Sequence, residues 1–207
     1  ITGFLYLIDY KNPNITISKA VPIALAVVFG LCAVAMIGIM VYFSCIDTET
    51  DLGNFERIIR FNDIWGTHRG FMWIRSIWIF GDASFIEKLF GVGPDMFYSA
   101  FSPYFDDLSK YGDSSTNAAH NEYLNYLITI GITGLLSYLA IVCGTIKSAV
   151  KYAKENPMLI ACVSAVICYA VQSVVNLYQP ITTPLFFIFI ALCEAFVRNA
   201  KAEKSAV

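Results

Sequence analysis

Long apolar runs separated by polar stretches dominate this chain, and the runs are too long and too evenly apolar to be single faces of soluble helices. Uncharged runs close to the ~20 residues that a helix needs to cross a bilayer core occupy 21–43, 124–146 and 158–177. A fourth, 184–197, spans roughly 21 Å at about 1.5 Å per residue and has to borrow 181–183 or its flanks to reach across. Residues 1–7, ITGFLYL, form an apolar stub that meets Asp9 and Lys11 without the basic leader of a signal peptide. It reads as the end of a helix that starts earlier, so the chain is expected to be the C-terminal portion of a larger membrane protein.

Between the first two runs, 44–120 carries signals of folded structure. RGFMWIRSIWIF, 69–80, has helical length, with Gly81 as the expected residue past its end. Ser84 and Glu87 form a capping box ahead of 86–90, and Gly91 stops that helix. Pro94 is expected at the first position of a further short helix ending before Ser102-Pro103. Trp73 and Trp78 among basic residues place the first of these helices on the outer membrane interface. Downstream, Thr116 or Asn117 can cap a helix whose first turn contains His120 and which continues unbroken as the second span.

Charge then orients the chain. Lys11, Lys19, Lys147, Lys151, Lys154, Arg198, Lys201 and Lys204 fall on one side of the alternating spans, the cytoplasmic side by the positive-inside rule. The expected fold is an all-α integral membrane protein, a partial polytopic helical bundle with one large, mostly helical extracytoplasmic loop. In chain order it comprises the end of a preceding span and a cytoplasmic connection (1–20), a transmembrane helix (21–43) and the extracytoplasmic loop (44–120). A second transmembrane helix (121–146), a cytoplasmic loop (147–157) and a third transmembrane helix (158–177) follow. An outer turn (178–183), a fourth transmembrane helix (184–199) and a cytoplasmic tail (200–207) complete it.

Composition agrees with a membrane protein that has a substantial aqueous part. Of 207 residues, 57% are hydrophobic and only 14% charged, where a soluble domain carries about a quarter. Disorder is excluded by that hydrophobicity, and nucleic-acid binding by 14 Lys+Arg against 16 Asp+Glu. The outer segment through Glu122 holds six basic and twelve acidic groups, its basic half around Arg57, Arg60, Arg69 and Arg75 and its acidic half beyond Gly81. All six cysteines lie in or beside the apolar runs, as small packing residues do. With two histidines in the chain, no zinc-ligand spacing is present.

His120 is the residue with chemical promise. A helix N-terminus and partial desolvation both disfavour imidazolium, and a histidine kept neutral can take the proton of a sugar hydroxyl. Eleven residues make about three helical turns, so on an unbroken helix Gly131 lies under His120, with Gly134 as a second small position beside it. The alternative from spacing alone is an interfacial histidine on a span end, with ordinary helix-packing glycines.

AHNEYLNYLITIGITGLLSYL, 119–139, carries the pattern His, ten residues, Gly, and resembles the histidine motif of the O-antigen ligase and O-antigen polymerase superfamily. FNDIWGTHRGFMW (61–73), with Arg69 and Trp73 four apart, resembles that family's upstream loop segment. KLFGVGPDMF (88–97) resembles its Phe-Gly-x-Gly-Pro turn, and QSVVNLYQPITTPLFFIF (172–189) is similar to its terminal hairpin. The resemblance runs roughly over 55–198.

That resemblance implies a glycosyltransferase of a bacterial inner or plasma membrane, multi-pass, acting in cell-surface polysaccharide biosynthesis as a ligase or a repeat-unit polymerase. The donor is a glycan on undecaprenyl diphosphate and the acceptor a saccharide or lipid-linked hydroxyl, with no cofactor and no metal. His120 then corresponds to the catalytic histidine and Arg69 to the loop arginine. A guanidinium fork suits diphosphate oxygens, so Arg69 is the first candidate for the leaving group, followed by Arg75 and Arg60. Asn121, Glu122 and Gly131 are expected to support the site. Gln172 and Asn176, one turn apart at the outer end of the third span, either line the acceptor path or hydrogen-bond between helices. Asp106, Asp107 and Asp113 read as a solvated acidic loop, and Glu194 as the i,i+4 partner of Arg198. The competing class is a polysaccharide transporter or flippase-like protein, disfavoured by the near-absence of charge inside the runs. A purely structural membrane subunit is the third possibility.

Overall fold

The computed structural model describes residues 20–205; the apolar stub, Lys11 and Lys19 lie outside them. Every regular element among the described residues is helical. Helix α1, Ala20–Val41, passes into one π-helical turn over Tyr42–Ile46. A 3-10 turn, Gly53–Phe55, leads to the short α2, Glu56–Ile59, and then to α3, Trp65–Asp82. Helices α4 (Phe85–Phe90), α5 (Phe97–Phe101) and α6 (Phe105–Ser109) follow. The remainder is α7 (Glu122–Thr129), α8 (Gly131–Tyr152), α9 (Met158–Gln172) and α10 (Thr182–Ser205).

Among the described residues, two helices are long and apolar enough to cross a membrane, Ile23–Ile46 and Gly131–Tyr152. The first is apolar all round, and Val27, Val28 and Phe29, successive positions about 100° apart around it, are all exposed, as on a helix whose covering is lipid or another chain. The third apolar run is shorter than expected. Helix α9 ends at Gln172, and its 15 residues reach about 22 Å, less than the ~30 Å hydrocarbon core. Helix α10 starts two residues before Pro184 and continues past the apolar run through Arg198 and Lys201 to Ser205.

The chain forms two compact units. Among the described residues, one comprises 39–141 with 170–179; the other is built from 20–38, 142–169 and 180–205. The core of the first gathers Phe71 and Met72 of α3, Phe97 and Phe101 of α5, Leu108, Ala119 and Ile128. Phe97 and Phe101, one turn apart, stack with centroids 5.4 Å apart, and Phe71 meets Phe101 edge-on. The core of the second joins Ala149, Leu159, Cys162, Val163, Cys193 and Val197. All six cysteines are free; Cys162 and Cys193 are buried packing residues, and the other four are exposed.

Local rules hold in several elements. The Ser84 hydroxyl accepts from the Glu87 amide at 3.3 Å, and the Glu87 carboxylate accepts from the Ser84 amide at 2.8 Å. Gly91, at φ 76°, ends α4, and the Arg198 Nε donates to Glu194 at 2.7 Å. Two expectations in this part of the chain fail. Gly81 is inside α3, whose last cap is Ala83, because the helix runs one residue further to Asp82. Pro94 sits in a turn ahead of α5, whose cap is Met96, since the backbone first reverses through Asp95 at φ 62°.

Candidate functional site

The expected unbroken helix under His120 is not what the chain forms. His120 stands at φ 51°, a left-handed conformation open to histidine but incompatible with a helical first turn. Asn121, not Thr116 or Asn117, caps α7, its side-chain oxygen accepting from the Leu124 amide at 3.0 Å. Thr116 turns inward instead, donating to the Ala118 carbonyl at 2.8 Å. Helix α7 then stops at Thr129, and Gly131, at φ 68°, starts α8 along a new course. Gly131 is therefore not three turns below His120 on one face.

The break has a partner. The turn after α4 lies against it, with Val92 N–H donating to Ile128 O and Gly93 N–H to Thr129 O, both at 3.0 Å. The Thr133 hydroxyl donates to Leu89 O at 2.7 Å. A Cβ on Gly91 would come within 2.3 Å of the Thr129 carbonyl, and one on Gly131 within 2.4 Å of Leu89. Both glycines are needed because two backbones touch there, and Gly134 is crowded by its own neighbour Ile130.

In the same unit, a cavity of about 510 Å³ opens beside His120, lined among others by Met72, Tyr98, Asp113, Ser115 and Asn117. His120 is half-buried. Burial first and the Arg69 guanidinium second push its imidazole below the ordinary 6.5, with the Asp113 carboxylate opposing them. The direction matches the sequence expectation; the cause is burial and Arg69, with His120 one residue ahead of the helix cap.

Arg69 is delivered by an unusual piece of backbone. Gly66, Thr67 and His68 are all left-handed, at φ 59°, 59° and 67°, before α3 becomes regular. Such conformations cost on the order of 1–3 kcal/mol for a non-glycine residue, most for a β-branched one such as Thr67, and gather at functional sites. The turn lets Arg69 Nη1 donate back to Gly66 O at 2.8 Å, while its buried Nε finds no protein acceptor. His68 stacks on Tyr111 at 4.8 Å, and its buried Nδ1 likewise lacks a partner. Four residues on from Arg69, Trp73 packs against Trp65 and Phe61, holding the entry to the helix.

The other two arginines are engaged by the protein. Arg75 makes a two-pronged pair with Asp63, at 2.5 and 2.9 Å, and its guanidinium lies over the rings of Phe71 and Trp78. Arg60 ties the loop together, donating to Phe43 O, Asp47 O, Thr50 O and the Glu56 carboxylate. Glu122 is buried and accepts from the Tyr126 hydroxyl and the Ser173 hydroxyl, each at 2.8 Å, while its amide donates to Ser173 O. Gln172 is exposed at the end of α9, and Asn176 lies beyond it, capping the Leu177 amide. They are thus not one turn apart on a helix, because α9 ends between them. Sequence reading missed Ser173, Tyr98 and Ser115, which contribute through contacts far apart in the chain and bear no local pattern.

The sequence pattern of the O-antigen ligase family matches residues 1–139, two thirds of the chain. The chain belongs to the O-antigen ligase family. The match takes in the left-handed turn, Arg69, the Gly91 turn and His120, and it ends inside α8. It begins well before residue 55, where the resemblance read from the motifs starts, and the hairpin at 172–189 lies beyond it. No curated protein and no solved structure matches the chain. Membership implies the general activity of that family at a membrane, and the two long apolar helices agree with it.

Proposed function

We propose that the cavity beside His120 is the transfer site of a membrane glycosyltransferase, in which a glycan leaves an undecaprenyl diphosphate carrier for a hydroxyl of a saccharide or lipid-linked acceptor. The observation that carries this reading is a cavity-lining histidine whose imidazole is pushed below its ordinary range by burial first and second by the charge of Arg69, an arginine whose buried Nε has no protein acceptor. A neutral imidazole can take a proton, and an unspent guanidinium donor can meet phosphate oxygen.

In the displacement, the acceptor hydroxyl gives its proton to His120 as its oxygen bonds to the anomeric carbon of the donor. The bond from that carbon to the diphosphate oxygen breaks, its electron pair staying on the diphosphate, where Arg69 offsets the developing charge. Arg75 and Arg60, each already engaged, hold the loop that presents Arg69. Asn121 and Glu122 support the approach by fixing the start of α7. Gln172 and Asn176 have no part in this reading.

In the membrane, residues 44–120 are extracytoplasmic and Lys147, Lys151, Lys154, Arg198, Lys201 and Lys204 cytoplasmic, with four crossings in an inner or plasma membrane. The short α9 is then completed across the bilayer by the irregular residues up to 177 or by local thinning.

Incubating the full-length protein in lipid with an undecaprenyl diphosphate glycan and candidate acceptors tests the reaction. A new glycosidic bond that is lost in His120→Ala supports it; translocation of the donor without any new bond refutes it. One long addition per acceptor identifies a ligase, and a ladder of repeat units a polymerase.

A further inference from the structure

We infer that α4, Phe85–Phe90, is a membrane-surface wedge whose apolar side chains sit in the headgroup and acyl boundary of the outer leaflet. It is a six-residue helix, and its Phe85, Ile86 and Phe90 are 75%, 69% and 63% exposed. Three large apolar groups on so short a helix require a cover. The helix is also rigidly held: the Ser84–Glu87 box closes its start, and Lys88 Nζ donates to Gly81 O at 2.7 Å.

The occupant follows from what α4 is bonded to. Its last turn is joined to the first turn of α8, with Thr133 Oγ1 donating to Leu89 O and Gly91 seated on the backbone at Thr129–Ile130. Helix α8 is long and apolar enough to cross a membrane. From Lys147, the first cytoplasmic lysine of this helix, up to Gly131–Thr133 it rises about 21–24 Å, so those residues stand in the outer part of the ~30 Å hydrocarbon core. Leu89 is bonded at that level, which puts Phe85, Ile86 and Phe90 at the depth where acyl chains begin. Ile132 and Leu136, on the part of α8 that α4 is bonded to, are exposed too, and Ile77 and Trp78 near the end of α3 add an exposed apolar residue and an aromatic suited to the interface. A bilayer therefore covers this face, and it fixes the height of the loop above the lipid.

The inference rests on α8 crossing the membrane and not on the transfer chemistry. Its test places the photoreactive p-benzoylphenylalanine singly at Ile86, Phe90, Leu136 or Ser109 of the full-length protein, in vesicles of phosphatidylethanolamine and phosphatidylglycerol, and identifies adducts by mass. Ile86, Phe90 and Leu136 are exposed apolar positions that tolerate the probe, and Ser109 is an exposed control in the loop. Lipid adducts at 86 and 90 comparable to those at 136, with none at 109, are expected. Lipid adducts at 136 alone overturn the wedge and leave the span intact; polypeptide adducts at 86 and 90 mean that protein covers the face; absence of lipid adducts at 136 overturns both the span and the wedge.

Discussion

Gly91 and Gly131, forty residues apart, meet backbone to backbone: a Cβ on Gly131 would lie 2.6 Å from the Gly91 amide nitrogen and 2.4 Å from the Leu89 carbonyl. Each is left-handed, and together they let the turn after α4 cross the break between α7 and α8. This contact explains the glycine of the His, ten residues, Gly pattern as a crossing point of two chain segments.

Replacing either glycine with alanine therefore strains φ and forces two backbones apart. Gly131→Ala and Gly91→Ala are expected to destabilise the unit by about 2–4 kcal/mol, a positive-φ penalty plus overpacking. Gly81→Ala, in the last turn of α3 with open space around its Cβ position, is expected to be neutral or stabilising by up to about 1 kcal/mol. Denaturant midpoints of the three variants in one detergent check the contrast.

Titration of His120 by NMR tests its coupling to Arg69. Because the folded-state value is depressed, His120 contributes stability that is present above its ordinary 6.5 and lost as pH falls through the folded value. Removing the Arg69 charge in Arg69→Gln should raise the His120 value and move the acid limb of transfer activity to higher pH. Asp113→Asn should move both the other way, since the Asp113 carboxylate favours imidazolium. An unchanged titration in both variants would sink the proposed pairing.

The three arginines should separate by type of damage. Arg69→Gln is expected to lower transfer at least tenfold with little change in unfolding midpoint, as loss of a phosphate contact does. Arg75→Gln breaks the partly buried pair with Asp63 and should cost about 1–3 kcal/mol of stability. Arg60→Gln releases three backbone carbonyls and Glu56, with a similar loss. Activity and thermal unfolding measured on the same preparations distinguish the two outcomes.

Glu122 is a positioning residue for α7 and the 170–179 segment. Glu122→Ala removes the carboxylate that accepts from the Ser173 and Tyr126 hydroxyls and should cost about 2–3 kcal/mol, whereas Glu122→Gln, which keeps one acceptor, should cost less. Amide hydrogen exchange of the 170–179 segment should accelerate in the first variant and scarcely change in the second.

The residues themselves were enough to establish the helical membrane character, the Ser84–Glu87 box, the Glu194–Arg198 pair and the motifs of the family. Each depends on neighbours within about one helical turn or on the solvent preference of a long run, and such effects are read along the chain. His120 and Arg69 were legible as candidates for the same reason, since motif and residue chemistry are local. Tertiary structure alone decided that α7 and α8 are separate helices, that Asn121 is the cap and that α9 stops at Gln172. It also decided that Arg75 belongs to Asp63 while the Arg69 Nε stays without a protein acceptor. Apolar periodicity runs straight through Ile130, and nothing local forbids a continuous helix there. What breaks it is a second backbone arriving from forty residues away, and only the folded chain brings that backbone into contact.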